Sequence, residues 1–381
     1  MGQRKIEVHL RRRKIVLTTS ILYSVIYFVI VLGILVFIHE FGHFILAKKL
    51  GVGVITFSLG FGPKLIGRKV GETQYQISAV PLGGFVKLIG ENPEEEMKEE
   101  DRSRSFSTQP IWKRLSIIFA GPFFNLLLAV VLFSSINLFV GIPSPLSSKI
   151  GDLSPGFPAE SVGLKKGDVV LSIDGEEVSK WDKLSQIIRK SKGEELLIKV
   201  KRNGETLEVK VTPKLSTQKN LFGEEIKTFV IGISPHEEVS IQKVNPIVAL
   251  GTGFFQTWEF TKLTFVGVVK LIQRVIPASE IGSPIMIAVV AGEQAKRGLA
   301  NLVFFIAIIS INLGLLNLFP IPILDGGHLL FLGLEAVLRR PISTKKMEIA
   351  QQIGLIFIIL LMLFAIRNDL IRYIFKEGFK F

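Results

Sequence analysis

His39-Glu40-Phe41-Gly42-His43 places two imidazoles and a carboxylate within one short stretch of chain. On an α-helix, residues four apart fall on one face, so His39 and His43 can offer two nitrogens to a single Zn²⁺. Glu40 then projects beside the open coordination position, where it can take a proton from water. Zinc lowers the pKa of such a water to roughly 7, giving a nucleophile at neutral pH. The chain contains no cysteine. Disulfides and thiolate zinc sites are thereby excluded, and any metal must be held by His, Asp or Glu. The same spacing arises by chance in ordinary helices, but here it closes an uncharged run from Ile21 to Ile38. Two histidines and a carboxylate at membrane depth are unfavourable enough to require a functional reason.

A second constellation reads Asn317-Leu318-Phe319-Pro320-Ile321-Pro322-Ile323-Leu324-Asp325-Gly326-Gly327-His328. Pro320 and Pro322 break an apolar helix, and broken helices at membrane depth are tolerated where they line a cavity. Asp325 can complete a two-His-one-carboxylate zinc site with a position left for water. Asn317 can hydrogen-bond a substrate backbone or an oxyanion. Spacing alone equally allows the prolines to end a span and Asp325 to cap the next segment, and it leaves His328 as a rival ligand.

These residues need a scaffold that holds them inside a bilayer, and the composition supplies one. Hydrophobic residues make up 48% of the 381 residues, with a mean hydropathy of +0.44, too apolar for an average soluble enzyme. Four stretches exceed or approach the roughly 20 residues a span requires: Ile21 to about Leu46, Leu115–Val140, Leu299–Leu324 and about Ile349–Ile366. The first is not a cleaved signal peptide, because it lacks a small-residue cleavage site and carries the His-Glu motif. Residues 1–20 form a basic tail. The net charge of +13 is spread over membrane-flanking Lys and Arg that meet anionic lipid, so nucleic acid is not expected as a partner. The acidic run Glu94–Asp101 reads as a solvated loop.

Residues 147–236 read as a soluble insert within the membrane protein. Val169, Leu171 and Ile173 alternate as in a half-buried strand, Asp174-Gly175 signals a hairpin, and Leu196–Val200 and Leu207–Val211 pair around Asn203-Gly204. Pro158-Ala159-Glu160, Gly163-Leu164 and Gly167-Asp168, followed by this strand and Asp174-Gly175, closely resemble a PDZ domain. Such a domain binds a peptide or carboxyl terminus by adding it to a sheet edge. Residues 237–298, apolar but dotted with Lys262, Lys270 and Arg274, read as a linker lying on the membrane surface.

Together these motifs resemble the site-2 protease family, and within it the bacterial RseP-type regulators of intramembrane proteolysis. Ala120-Gly121-Pro122-Phe123-Phe124-Asn125 matches that family's Gly-Pro-x-x-Asn element. Pro81-Leu82-Gly83-Gly84-Phe85-Val86-Lys87 matches its membrane-re-entrant β element. Gly282-Ser283-Pro284-Ile285 departs slightly from the usual Gly-Pro-Ile. Several such members carry two PDZ modules, whereas this chain has room for one. The resemblance implies a polytopic α-helical membrane protein of about four spans, with a re-entrant β segment and one inserted PDZ domain. Membrane core residues 21–146 and 299–381 then flank the insert and linker. The resemblance makes Asp325 the third zinc ligand. It makes Asn317, Pro320, Pro322, Gly83 and Gly84 substrate-handling residues.

The expected activity is hydrolysis of a peptide bond inside the transmembrane helix of a single-span protein, such as an anti-sigma factor or remnant signal peptide. Thr73–Leu88, with alternation at Tyr75, Ile77 and Ala79, is expected to offer a strand edge that captures the unwound substrate. The cell inner membrane is the expected location. Lys- and Arg-rich loops from Ala47 to Arg114 and from Arg339 to Lys346 place the insert in the periplasm, although Arg11–Lys14 argues the other way. A transporter or a non-catalytic PDZ scaffold is the alternative. The first calls for inverted repeats, which are not seen, and the second has no use for Glu40.

Overall fold

The computed structural model describes residues 2–91, 98–143, 147–236 and 241–376, and for residues 2–20, 81–82 and 374–376 only the backbone. Half of the acidic run expected to be a solvated loop, residues 94–97, lies outside the described residues, and the other half leads into a short 3-10 turn, Glu99–Arg104. The chain begins with α1 (Gly2–Lys49), β1 (Val54–Val70), β2 (Thr73–Leu88) and α2 (Ile111–Phe139). There follow β3 (Ile142–Pro143), β4 (Ile150–Leu153), α3 (Pro158–Ser161), β5 (Val169–Ile173), β6 (Glu176–Glu177) and α4 (Trp181–Lys190). Next come β7 (Leu196–Arg202), β8 (Glu205–Val211), β9 (Lys214–Lys219), β10 (Glu225–Val230), β11 (Ile233–Pro235) and β12 (Ile241–Gln242). The chain closes with α5 (Pro246–Ile272), α6 (Pro284–Arg297), α7 (Leu299–Asn317), α8 (Asp325–Leu338) and α9 (Thr344–Leu370). They form two compact units: Met1–Asn137 with Asn245–Val268 and Pro277–Phe381, and Leu138–Val244 with Val269–Ile276.

In the first unit, four helical stretches are long and apolar enough to cross a membrane: Ile21–Lys49, Ile111–Phe139, Leu299–Asn317 and Thr344–Tyr373. The third stops short of the expected Leu324. Pro320 and Pro322 have no amide proton to continue the helical ladder, and each disfavours helical backbone in the residue before it. The chain turns through Leu318–Leu324 and restarts as α8 at Asp325. The helices pack through Val31, Leu35, Ala291, Leu302 and Ile306 in one cluster and Ala129, Phe133, Ala307 and Ile311 in another. Outward-facing Ile353, Leu360 and Leu363 on α9 suit contact with lipid tails.

Two details differ from expectation. Much of the surface linker folds as α5, which packs on two spans. Its small residues Ala249, Gly253 and Thr257 form a buried stripe, and such stripes let helices approach closely. Phe260 stacks on Phe133 at 5.5 Å and meets Phe304 edge-on at 5.8 Å. Ser283, the departure at 282–285, caps α6. Its hydroxyl accepts from the Ile285 amide at 3.1 Å and donates to Asp369 Oδ2 of α9 at 2.6 Å. The same Asp369 oxygen accepts from the backbone N–H groups of Ser283 and Met286 at 2.8 and 3.1 Å. The first amides of a helix have no partner within it, and here a carboxylate supplies one.

β1 and β2 do not make a simple hairpin. Thr56–Leu59 lies between Gln74–Ile77 on one side and Gly84–Lys87 on the other, while Lys64–Val70 folds back along Thr73–Ser78. The edge expected along all of Thr73–Leu88 is therefore confined to its final stretch, since Tyr75 and Ile77 are enclosed within the sheet. The outer side of Gly84–Val86 has no strand partner among the described residues.

The second unit holds a four-stranded sheet in the order β6-β5-β7-β8. Asp174 (φ 50°) and Gly175 (φ 83°), and likewise Asn203 (φ 50°) and Gly204 (φ 94°), turn its hairpins in the left-handed region, as two-residue turns require. Ile150, Ile173, Leu184, Ile198, Val200 and Ile231 fill its core. Asp168, only 1% exposed, accepts from Arg202 Nε and Nη2, both at 2.7 Å, and from the Lys165 amide at 2.8 Å. Burial alone would push the Asp168 carboxyl up, but the Arg202 and Lys165 bonds outweigh it and hold it below the ordinary carboxylate value. A depressed folded-state value contributes stability above the unfolded pKa of about 3.9 and loses it as pH falls through the folded value. Hydrogen exchange of the β5 and β7 amides in the intact protein, taken relative to the intrinsic exchange rate at each pH, should be slow and flat at neutral pH and accelerate only under strong acid. Arg202→Leu should speed it at pH 7 by destabilising the unit by roughly 3 kcal/mol. In that variant mild acid should restore protection, because the stranded Asp168 then gains a proton.

Candidate metal centre

α1 carries His39, Glu40 and His43 in the carboxyl-terminal half of a span, and α8 brings Asp325 to them as its first residue. The imidazole Nε2 atoms of His39 and His43 stand 3.2 Å apart. Asp325 Oδ2 lies 3.1 Å from the first and 3.6 Å from the second. That oxygen is buried and has no hydrogen-bond partner among the described residues. Three lone-pair donors thus face one point, all within 4.8 Å of one another. A cation resolves this crowding, and a nitrogen-rich set of two imidazoles and one carboxylate suits zinc, with a fourth position free for water. The residues present fit the ion.

The other ring nitrogens are also engaged. His43 Nδ1 donates to the backbone carbonyl of Ile117 at 2.8 Å, and His39 Nδ1 lies 3.1 Å from the side-chain amide of Asn125. Both partners belong to α2. Between them sits Gly121, where a Cβ would fall on His43 Nε2 and His39 Cε1. The sequence singles out the 120–125 stretch without giving it a task. The available signal was spacing: 117, 121 and 125 recur every four residues and share a helix face.

The remaining expected site residues divide. Glu40, Gly84 and His328 line a cavity of about 730 Å³ together with His39, His43 and Asp325. A Cβ on Gly84 would meet the Ser58 carbonyl at 2.7 Å, Val36 Cγ1 at 2.9 Å and Glu40 Cγ at 3.1 Å, so the glycine is what lets the strand lie against both β1 and the Glu40 face of α1. Gly83, at φ 133°, is packed beneath the Phe61 ring, one residue removed from the cavity wall. Asn317 ends α7 with its amide 3.5 Å from His39 Nε2, beside the donor cluster. Pro320 is exposed and Pro322 half-buried in the turn before α8; neither lines the cavity. His328 lies outside the donor cluster. Sequence reasoning also passed over Arg114 of α2 and Glu335 of α8, which pair at 2.9 Å in the wall of the same cavity.

The profile of Peptidase family M50 matches residues 27–361. The chain belongs to peptidase family M50. A predicted zinc metalloprotease of Mesorhizobium japonicum is 36% identical over 363 residues, covering 90% of this chain and 97% of that protein. Another, from Campylobacter jejuni, is 37% identical over 346 residues, covering 91% and 93%. Zinc metalloprotease RasP of Geobacillus kaustophilus is 32% identical, covering 92% of this chain and 98% of its own. The chain is accordingly a multi-pass M50 zinc metalloprotease, in agreement with the donor cluster and the four apolar helices.

Asp325→Ala should leave this M50 peptidase folded but nearly empty of zinc when measured by metal analysis after purification in detergent. Full occupancy in that variant would remove Asp325 from the ligand set.

Proposed function

We propose that this peptidase cuts peptide bonds within transmembrane segments of single-span membrane proteins, with His39, His43 and Asp325 as zinc ligands and Glu40 as general base. The observation that carries this reading is the donor cluster itself. Its two histidines follow an uncharged run within a span, and the cluster opens into a cavity walled in part by the strand edge Gly84–Val86.

A transmembrane helix hides its carbonyls in its own hydrogen bonds, so a substrate must unwind before attack. The Gly84–Val86 edge offers unwound backbone new partners, as in strand addition. Gly84 lets that edge approach Glu40, and Gly83 makes room beside it for the Phe61 ring. When bound, zinc supplies Lewis acidity toward water and toward the scissile carbonyl. Glu40 accepts the proton from the attacking water and returns it to the leaving amine. Asn317, an amide beside the donor cluster, steadies the scissile carbonyl. Pro320 and Pro322 act at one remove, by ending α7 so that Asn317 and Asp325 both reach the site. Anti-sigma factors and remnant signal peptides are the substrate classes implied by the site-2 protease resemblance.

The insert of residues 147–236 is read as a PDZ module that holds a peptide or a newly made carboxyl terminus. Its support is the Pro158–Asp168 motif leading into the β5–β6 hairpin, with the amphipathic α4 packed on the sheet through Leu184 and Ile188. The basic loops favour an inner-membrane enzyme with this module on the periplasmic side.

The test is cleavage of a single-span substrate by purified enzyme. Glu40→Gln should retain zinc and lose cleavage by roughly 10²–10⁴-fold; cutting at the wild-type rate would remove Glu40 as base. Gly84→Ala should also retain zinc yet cut on the order of 10²-fold more slowly, because its Cβ pushes the strand away from Glu40. An unchanged rate would separate this edge from substrate binding.

A further inference from the structure

Asn125 is fully buried in α2, and its amide meets a single imidazole nitrogen. The structure sets Nδ2 at 3.1 Å from His39 Nδ1 and leaves Oδ1 buried with no hydrogen-bond partner among the described residues. An amide turned by 180° fills the same space with oxygen and nitrogen exchanged. The other end of the ring decides between the two orientations. A neutral imidazole carries one proton. If His39 Nε2 offers its lone pair to zinc, the proton stays on Nδ1 and needs an acceptor. His43 obeys this rule already, its Nδ1 proton going to the Ile117 carbonyl at 2.8 Å.

We propose that Asn125 is a positioning residue for the metal centre: its side-chain oxygen accepts the His39 Nδ1 proton and so fixes the tautomer that presents Nε2 to zinc. This inference rests on His39 being a ligand. Asn125 is itself held in register, because Ser310 Oγ of α7 donates to the Asn125 carbonyl at 2.7 Å. One face of α2 thus serves both rings. Ile117 takes one proton, Asn125 takes the other, and Gly121 provides the space in which the two imidazoles turn toward each other.

The proposal makes an acceptor, not a donor, the required group at position 125. Asn125→Asp keeps shape and acceptor but abolishes the donor; Asn125→Leu keeps volume and abolishes both. Zinc affinity of the purified full-length protein, by competition with a chromogenic chelator, should be within a few-fold of wild type for the Asp variant. It should fall about 10–100-fold for the Leu variant. Cobalt-substituted Asn125→Asp should keep the wild-type visible spectrum, which reports ligand number and geometry, whereas Asn125→Leu, which a general packing role would leave unchanged, should lose it. Wild-type affinity in Asn125→Leu overturns the proposal, as does a loss in Asn125→Asp as large as in Asn125→Leu. If Asn125→Leu does not fold, the Asp variant alone decides. His39→Ala is the control that separates the two readings: a variant that still binds zinc as wild type does removes the ligand assignment itself.

Discussion

Two imidazole nitrogens and a carboxylate oxygen, brought within hydrogen-bond range by two separate helices, are the constraint on which the rest of this molecule depends. Lone pairs that face one another in an apolar bundle are costly, and no side-chain rearrangement on one helix relieves them. A divalent cation does. For the ion to find all three donors, the carboxyl end of one span must meet the start of a helix formed far later in the chain. The break at Pro320 and Pro322 serves that meeting by ending α7 early and starting α8 at Asp325. α2 completes it by lying close enough to touch both rings.

A second constraint comes from the backbone. Unpaired amide and carbonyl groups are not tolerated against lipid tails, which is why helices and closed barrels span membranes. The Gly84–Val86 edge lies beside a span, and it is sustainable because it faces a polar cavity. Arg114, Glu335 and His328 furnish the polar walls. The feature that makes an exposed edge acceptable is therefore the one that admits water to the site. Strand capture and hydrolysis share a single solvent compartment.

Much of this was legible in the residues. His39 and His43 disclosed their common face through four-residue spacing, and the uncharged run before them disclosed their depth. Asp325 was less legible. A carboxylate after two prolines can be a cap or a ligand, and only its distance to the imidazoles separates the two. The β ribbon was read too simply. Alternation at Tyr75 and Ile77 reports a strand but not which of its sides is covered, and the return of Gly84–Lys87 along Thr56–Leu59 is a long-range pairing with no local signature. α5 was underread for a related reason. Lys262 and Lys270 lower its mean hydropathy, while Ala249, Gly253 and Thr257, which govern its packing, are small and nearly silent on such a scale. The contribution of α2 was visible as a motif and unreadable as a contact, since a carbonyl oxygen and a missing Cβ leave no mark in a residue's name.

The capping of α6 by Asp369 has a consequence for the order of events during synthesis. α6 packs against α1 through Ala291 and Gly292, which meet the helix that bears the histidines. Its first amides stay without their carboxylate until the last span has been made. Asn317 follows His39 by 278 residues, so at 5–20 residues per second the histidines wait on the order of tens of seconds for their partners. During that interval the chain holds two imidazoles and no third donor. A protease whose chemistry is assembled last cannot attack its own unfinished spans, which pass through the same membrane while they are still unpacked.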